Sequence, residues 1–220
     1  MDWTALKLTL ALAFSTTSIL LLLGLPVAAW LAFTRSRWRY VVEAVVALPL
    51  VLPPTVLGFY LLWGMGPRSV VGGYYHQFTG STLPFTFPGI VIASVLYNLP
   101  FAIRPFTSAL AAVDRRLIEA AWCLGVSRFE TFARVTLPLA WRGILTGLVL
   151  TFAHTIGEFG VILMVGGNVP GITRTLSMAV YDDVQALRYD AAAATSLWML
   201  GFSLVTLVFV QTLDRGRGSR

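Results

Sequence analysis

Two titratable side chains, His154 and Glu158, stand four residues apart within a long apolar part of the sequence. At this spacing both lie on one face of a helix, so they could bind a metal ion together. Catalytic zinc sites usually take three protein ligands, and the second histidine of the chain, His76, lies in a distant segment rich in aromatic residues. We therefore expect neither a metal site nor a metalloprotease.

Cysteine and lysine each occur once, which excludes further classes of chemistry. Cys123 alone forms no internal disulfide and no multi-cysteine metal cluster. A phosphate-binding P-loop needs a lysine between a glycine and a serine or threonine, whereas Lys7 stands between two leucines. We expect that the chain is not an enzyme, binds no cofactor of its own and depends on another polypeptide for any ATP hydrolysis.

The composition is that of a membrane protein. Of the 220 residues, 57% are hydrophobic and 12% are charged, whereas a soluble domain has about 25% charged residues. The same numbers exclude a disordered chain, which combines low hydrophobicity with high charge. We interpret the formal net charge of +6 as arginines at the cytoplasmic ends of helices, and not as a surface for nucleic acid.

The apolar stretches predict an all-α membrane protein with five transmembrane helices, forming a single transmembrane domain over 1–220. A span needs about 20 apolar residues. The predicted spans are 8–33, 41–63, 89–113, 139–165 and 191–213.

The distribution of arginines predicts the orientation of these spans. Arginines cluster after the first span, between the third and fourth, and after the fifth, at Arg35, Arg37, Arg39, Arg115, Arg116, Arg128, Arg134, Arg215, Arg217 and Arg220. If the spans alternate, the three clusters share one side of the membrane, and the positive-inside rule makes that side the cytoplasm. The amino terminus is then outside and the carboxyl terminus is cytoplasmic.

Prolines interrupt two of the predicted spans. Pro49, Pro53 and Pro54 stand in the middle of the second span, and Pro100 and Pro105 stand in the third. Broken helices are tolerated in a membrane where the freed carbonyl groups are buried in protein or line a cavity. We expect both spans to be broken and favour a bent wall of a pathway, with Pro53 and Pro54 as candidates, over simple kinks.

The fourth span contains the sequence Gly157-Glu158-Phe159-Gly160. The two glycines would allow another backbone to approach closely. An acid inside a membrane is by default a functional residue. We expect Glu158 to organise helix packing or an outer gate with the help of a hydrogen-bond donor, for which His154 is one choice.

Arg104, in the third span, has two interpretations of equal weight. Its charge could attract an anion into a pathway. Alternatively, its long side chain reaches the cytoplasmic interface and has no part in transport.

The segment between the third and fourth spans, 114–138, predicts two short helices around a glycine. Asp114 can cap the first helix, and Gly125 suits the left-handed position at which a helix ends. Ser127 and Glu130 have the spacing of a capping box at the start of the second helix. Spacing alone leaves two interpretations, a docking site for a soluble partner or a simple connector.

The same segment resembles the EAA loop of permease subunits in ABC importers, in which Glu-Ala-Ala, three residues, Gly, nine residues and Ile-x-Leu-Pro follow one another. Valine replaces isoleucine here. The matching residues are Glu119, Ala120, Ala121, Gly125, Val135, Leu137 and Pro138. The resemblance implies that this loop is the coupling helix, with Glu119, Ala120, Ala121 and Gly125 contacting an ATPase subunit.

A second resemblance concerns the substrate class. The Gly-Glu-Phe-Gly sequence at 157–160 resembles permeases for molybdate, tungstate and sulfate, and the Gly-Asn-Val-Pro-Gly and Thr-Arg-Thr-Leu sequences after it resemble molybdate permeases most. Molybdate is therefore the expected substrate, with sulfate and tungstate as alternatives. A carboxylate repels a divalent oxyanion, so Glu158 is not expected to bind the anion.

The resemblance also implies the partners. They are a second copy of the chain in a homodimer, two ATPase subunits that bind ATP and magnesium on the cytoplasmic face of the inner membrane, and an extracytoplasmic substrate-binding protein. Two alternatives from other classes are a secondary transporter or channel that works without an ATPase, and a membrane scaffold with no transport role.

Overall fold

The computed structural model describes residues 2–215, with side chains up to residue 212. Within this range the regular structure is entirely helical, as the composition predicted. The helices are α1 (Trp3–Phe33), α2 (Trp38–Val51), α3 (Pro54–Met65), α4 (Val70–Thr79), α5 (Phe87–Ala111), α6 (Arg115–Cys123), α7 (Arg128–Thr131), a π-helical segment (Phe132–Thr136), α8 (Leu137–Gly157), α9 (Gly160–Gly166), α10 (Leu176–Gln185) and α11 (Tyr189–Arg215).

Length and apolar composition identify the membrane spans. In the described part of the chain, four continuous helices are long and apolar enough to cross a membrane, and the bent pair α2–α3 raises the number to as many as five. The spans found are Trp3–Phe33, Trp38–Met65 as the bent pair, Phe87–Ala111, Arg128–Gly157 and Tyr189–Thr212. Arg217 and Arg220, which we used for the orientation, lie outside the described residues.

The second span is broken where prolines predicted a break. α2 ends at Val51, α3 begins at Pro54, and the two axes differ by 113°. Leu52 and Pro53 have extended backbone between them, because a residue that precedes proline avoids the helical region. The span is therefore two half-length helices that point in different directions.

The predicted break in the third span is wrong, since α5 continues through both Pro100 and Pro105. Helix α5 lies between α1 and α8 along much of its length, and this packing supports a helix that proline alone would interrupt. Phe106, directly after Pro105, is fully buried. A side chain at Gly147 of α8 would lie 2.8 Å from the Phe106 ring and 3.1 Å from Pro105 Cβ, so this glycine allows α8 to approach α5 at Pro105.

The fourth span also differs from its predicted range of 139–165. It begins earlier, since the helix runs without interruption from Arg128 to Gly157, and it breaks at Glu158 and Phe159 before α9. The early start is explained by the π-helical segment before Pro138. Proline cannot donate a backbone hydrogen bond, and its ring clashes with the carbonyl four residues earlier, whereas a π-helical turn moves that carbonyl away.

Candidate functional site

The segment between the third and fourth spans forms a helical hairpin, which we call the α6–α7 hairpin. The Asp114 carboxylate accepts a hydrogen bond from the Arg116 amide at 2.9 Å and caps α6. Gly125 has φ +81°, a conformation that costs little only for glycine. The Ser127 hydroxyl accepts a hydrogen bond from the Glu130 amide at 3.3 Å and caps α7. Both caps and the left-handed glycine are confirmed.

Two large apolar side chains project from the turn of the α6–α7 hairpin. Leu124 is 83% exposed and Phe129, between Arg128 and Glu130, is 82% exposed. Ile118, on another face of α6, is buried in the same apolar cluster as Phe106 of α5. The hairpin is thus anchored to the membrane core on one side and presents apolar surface on the other.

The residues that resemble the EAA motif do not all lie in the hairpin. Glu119 and Ala120 are exposed on α6. Val135 and Leu137 are partly buried in the helix that becomes the fourth span, and Leu137 packs on the cluster that contains Ile118. The structure therefore separates the motif into an exposed first half and a second half that joins the hairpin to the span.

A buried polar cluster lies where the fourth span breaks. Ser94, Asn98 and Glu158 are at most 4% exposed. The Ser94 hydroxyl donates a hydrogen bond to Glu158 Oε2 at 2.8 Å, and Asn98 Nδ2 donates to the same oxygen at 3.0 Å. The donors lie on α5, so the carboxylate connects the third span to the break in the fourth.

His154 belongs to this cluster but does not bond to Glu158. Its Nδ1 lies 2.9 Å from Asn98 Oδ1, and its ring stacks on Phe101 with centroids 3.8 Å apart. Asn98 thus stands between the histidine and the acid. The second carboxylate oxygen, Glu158 Oε1, is buried with no hydrogen-bond partner among the described residues.

The breaks in the second and fourth spans lie against each other. A side chain at Gly160 would begin 3.0 Å from Pro54 Cβ, and one at Gly58 would begin 2.7 Å from Met164 Cβ. Helices α3 and α9 pack together through these contacts. At Gly157 an added side chain would meet nothing within 4 Å among the described residues, so within the chain the close approach occurs at Gly160 and not at Gly157.

The segment after α9 is held by a compact group of polar contacts. Asp182 accepts two hydrogen bonds from Asn168 Nδ2, both at 3.0 Å, and pairs with Arg174 at 2.8 Å. The Phe159 ring lies 5.1 Å from the Tyr181 ring. The sequences that resemble molybdate permeases therefore form one folded unit beside the break in the fourth span.

Arg104 lies on an exposed face of α5. Within residues 2–215 the ion pairs closer than 4.0 Å do not include one between Arg104 and Glu158. The structure thus places the arginine apart from the buried polar cluster.

Several residues of this site were missed by the sequence analysis. Ser94 and Asn98 are polar residues four positions apart in an apolar span, a spacing that would have placed them on one helix face. The pairing of Arg174 with Asp182 was harder to predict. Arg174 precedes α10 and Asp182 lies within it, so their separation in the sequence does not fix the distance between their side chains. Their pairing became visible only in the fold.

Comparison with known proteins identifies the family. The family described as binding-protein-dependent transport system inner membrane component matches residues 4–218. The chain belongs to this family. It is a multi-pass inner membrane component of a transport system, and its role is transport and not catalysis.

Individual relatives agree with this assignment. The molybdenum transport system permease protein ModB of Azotobacter vinelandii is 51% identical over 94% of this chain and 91% of its own length. The protein of the same name from Escherichia coli K12 is 34% identical over 100% of this chain and 97% of its own. The permease resemblance inferred from the EAA motif is confirmed.

A solved structure shows the same fold. It is the inward-facing MetNI methionine ABC transporter, which matches with a TM-score of 0.73 at 20% identity and covers 96% of this chain and 94% of that one.

Within the described residues, no group of three or more His, Cys, Asp or Glu side chains is placed to hold a metal ion.

The contact between the two breaks leads to a prediction. Replacing Gly160 with leucine should lower the stability of the protein in detergent by about 1–3 kcal/mol, because overpacking forces neighbours to move, and should reduce transport. The matched change Gly157→Leu should leave both nearly unchanged, since its side chain has open space. Thermal unfolding and uptake assays measure the effects, and equal losses in both variants would contradict the proposed contact.

Proposed function

We propose that the chain is the permease subunit of an ATP-driven importer of molybdate. The observation that supports the substrate most is the 51% identity to a molybdenum permease over almost the whole chain. The folded unit formed by Asn168, Arg174 and Asp182 lies in the sequences that carry that resemblance. Tungstate and sulfate are the alternative oxyanions.

In this proposal the chain works as a homodimer with the pathway at the two-fold interface. Two ATPase subunits bind ATP and magnesium on the cytoplasmic face, and an extracytoplasmic binding protein delivers the anion. The single lysine of the chain, Lys7, is not part of a P-loop, which supports ATP hydrolysis by a separate subunit. We also propose the orientation with the amino terminus outside and the α6–α7 hairpin in the cytoplasm.

The α6–α7 hairpin is proposed to be the coupling element. Exposed Leu124 and Phe129 offer apolar contact to an ATPase, and the small Ala120, Ala121 and Gly125 allow close approach, with Glu119 beside them. The continuous helix from Arg128 to Gly157 would carry a displacement of the hairpin to the break at Glu158. In this scheme Val135, Leu137 and Pro138 transmit the movement and do not touch the ATPase.

The paired breaks are proposed to form the gate. Pro53 and Pro54 lie at the break in the second span, and Gly160 lies against Pro54, so α3 and α9 would move together as the transporter opens. Glu158 would hold the break in place through its bonds to α5 and would not bind the anion. Arg104 remains a pathway candidate because its side chain is exposed.

Co-purification followed by ATPase assays tests this function. The chain should purify with an ATPase subunit, and molybdate with its binding protein should stimulate ATP hydrolysis and drive uptake into vesicles. Tungstate and sulfate are compared at equal concentration to rank the three anions. Stimulation by sulfate alone would contradict molybdate as the substrate and leave the importer assignment intact.

The same preparation tests the class of transporter. The reconstituted chain without ATPase subunits should show no flux under an ion gradient. Flux under these conditions would support a secondary transporter or channel instead. Unchanged molybdate uptake after deletion of the chain would support a scaffold role.

A further inference from the structure

A cavity of about 590 Å³ opens between the end of α1 and the α6–α7 hairpin. Arg35, Arg115 and Arg128 line it together with Glu119. Three positive charges therefore face one negative charge. In the described part of the chain, the ion pairs closer than 4.0 Å do not involve any of these four side chains, so the positive charge of the cavity is not neutralised from within.

The remaining wall of the cavity is largely apolar. Phe33, Ile118, Trp122 and Phe132 line it together with the smaller Thr131 and Thr136, and the guanidinium of Arg128 lies 5.7 Å from the centre of the Trp122 ring. A site for a small hydrated anion would need polar groups on every side. Cationic and apolar walls side by side instead match a molecule with an anionic head and a hydrocarbon tail.

The position of the cavity identifies the source of such a molecule. Arg35 follows the last residue of α1 by two positions, and Arg115 begins α6 just after α5 ends. Both therefore stand where spans leave the hydrocarbon layer. Basic pockets between helices on the cytoplasmic side of a membrane bind anionic lipid head groups.

We infer that this cavity binds the phosphate head group of an anionic phospholipid from the cytoplasmic leaflet, between the first span and the α6–α7 hairpin. The inference rests on the proposed orientation of the chain. It does not depend on the substrate or on the ATPase. The bound lipid would connect the end of α1 to the hairpin and so hold the coupling element at the membrane surface.

The opposite side of α6 remains free in this arrangement. Leu124 lies about 140–160° around the helix from Glu119 and Trp122, and it is 83% exposed. A lipid in the cavity and an ATPase on the exposed side would therefore contact different faces of the hairpin. An ATPase side chain in the cavity is the alternative occupant, and the experiment separates the two.

The test uses the full chain in nanodiscs that contain phosphatidylglycerol and phosphatidylcholine, with retained lipid measured by native mass spectrometry. The chain should retain phosphatidylglycerol in preference to phosphatidylcholine. The double change Arg35→Gln and Arg115→Gln should weaken retention about thirtyfold, since each basic side chain near an anionic surface contributes about a factor of five. The matched control, Arg37→Gln and Arg116→Gln, removes two charges from the same face outside the cavity and should change retention less than about threefold.

Three results would overturn the inference. One is equal retention by the two double variants, and another is loss of the lipid when ATPase subunits bind, which would assign the cavity to the protein interface. The third is displacement of the lipid by millimolar inorganic phosphate or molybdate, which would indicate a site for a soluble oxyanion.

A separate measurement checks the orientation on which the inference rests. Cys123, the single cysteine of the chain, is exposed on α6. A membrane-impermeant maleimide should label it in inside-out vesicles and not in intact spheroplasts, and the Cys123→Ser variant controls for background. Labelling from the outside would refute the orientation, and hence the leaflet, whatever the lipid measurement shows.

Discussion

Replacing Gly125 with valine is expected to separate the permease from its ATPase while leaving it inserted in the membrane. The glycine has φ +81°, and valine is among the residues that tolerate a positive φ least. Holding a residue in this region costs about 1–3 kcal/mol. The chain can avoid the cost by changing the turn between α6 and α7, and this moves Leu124 and Phe129 from the positions in which they are proposed to dock.

The effect of this change should be confined to the hairpin. An added side chain at Gly125 meets nothing within 4 Å, so no contact in the membrane core is disturbed. A loss of about 1–3 kcal/mol in docking corresponds to an affinity about five- to hundredfold lower. Co-purification of the ATPase and coupled uptake should both fall by this order, while the amount of permease in the membrane stays the same.

Asparagine at the same position provides the control, because it adopts the left-handed conformation more readily than other non-glycine residues. Gly125→Asn should therefore retain most of the ATPase binding that Gly125→Val loses. If valine and asparagine are equally harmful, the side chain at the docking surface matters and the backbone conformation does not. If both retain full coupling, the hairpin is a connector.

Much of the fold could be predicted because membrane insertion imposes simple rules on a sequence. A bilayer requires long apolar runs, and five of them could be recognised. Short-range signals were equally informative, as Asp114, Ser127 and Gly125 show, since each acts on residues no more than three positions away. The caps of α6 and α7 are therefore almost entirely local properties of the sequence.

The errors about where the spans break concern interactions between distant segments. Pro100 and Pro105 do not break α5, because α1 and α8 pack along it. The break at Glu158, in contrast, contains no proline from which it could have been predicted. At that break Glu158 accepts hydrogen bonds from Ser94 and Asn98, which stand some sixty positions earlier in the chain. A linear pattern contains no information about which polar group of one span will meet which group of another.

The dependence of the break on α5 predicts opposite outcomes for two substitutions of Glu158. Glu158→Ala should destabilise the protein and stop transport, because it removes the oxygen that accepts hydrogen bonds from Ser94 and Asn98. Hydrogen bonds between membrane helices contribute about 0.6 kcal/mol each on average, and up to about 1.7. Leaving the buried Ser94 hydroxyl without its acceptor adds a further cost of about 1–3 kcal/mol, whereas Asn98 Nδ2 keeps its bond to the Ser94 carbonyl oxygen at 2.9 Å. The variant should therefore lose a few kcal/mol.

Glu158→Gln should instead keep both the fold and most of the transport. Its amide oxygen can accept the same two bonds. Its amide nitrogen would take the place of Oε1, which is already buried without a partner, so one unpaired buried polar group replaces another. Thermal unfolding in detergent and molybdate uptake separate the two variants. A glutamine variant that folds normally and does not transport would show that the negative charge itself is needed, and Glu158 would then act in the transport step and not as a packing residue. Equal stability of the alanine and wild-type proteins would show that the hydrogen bonds to α5 do not hold the break, and α9 would then owe its position to its packing against α3 and α5.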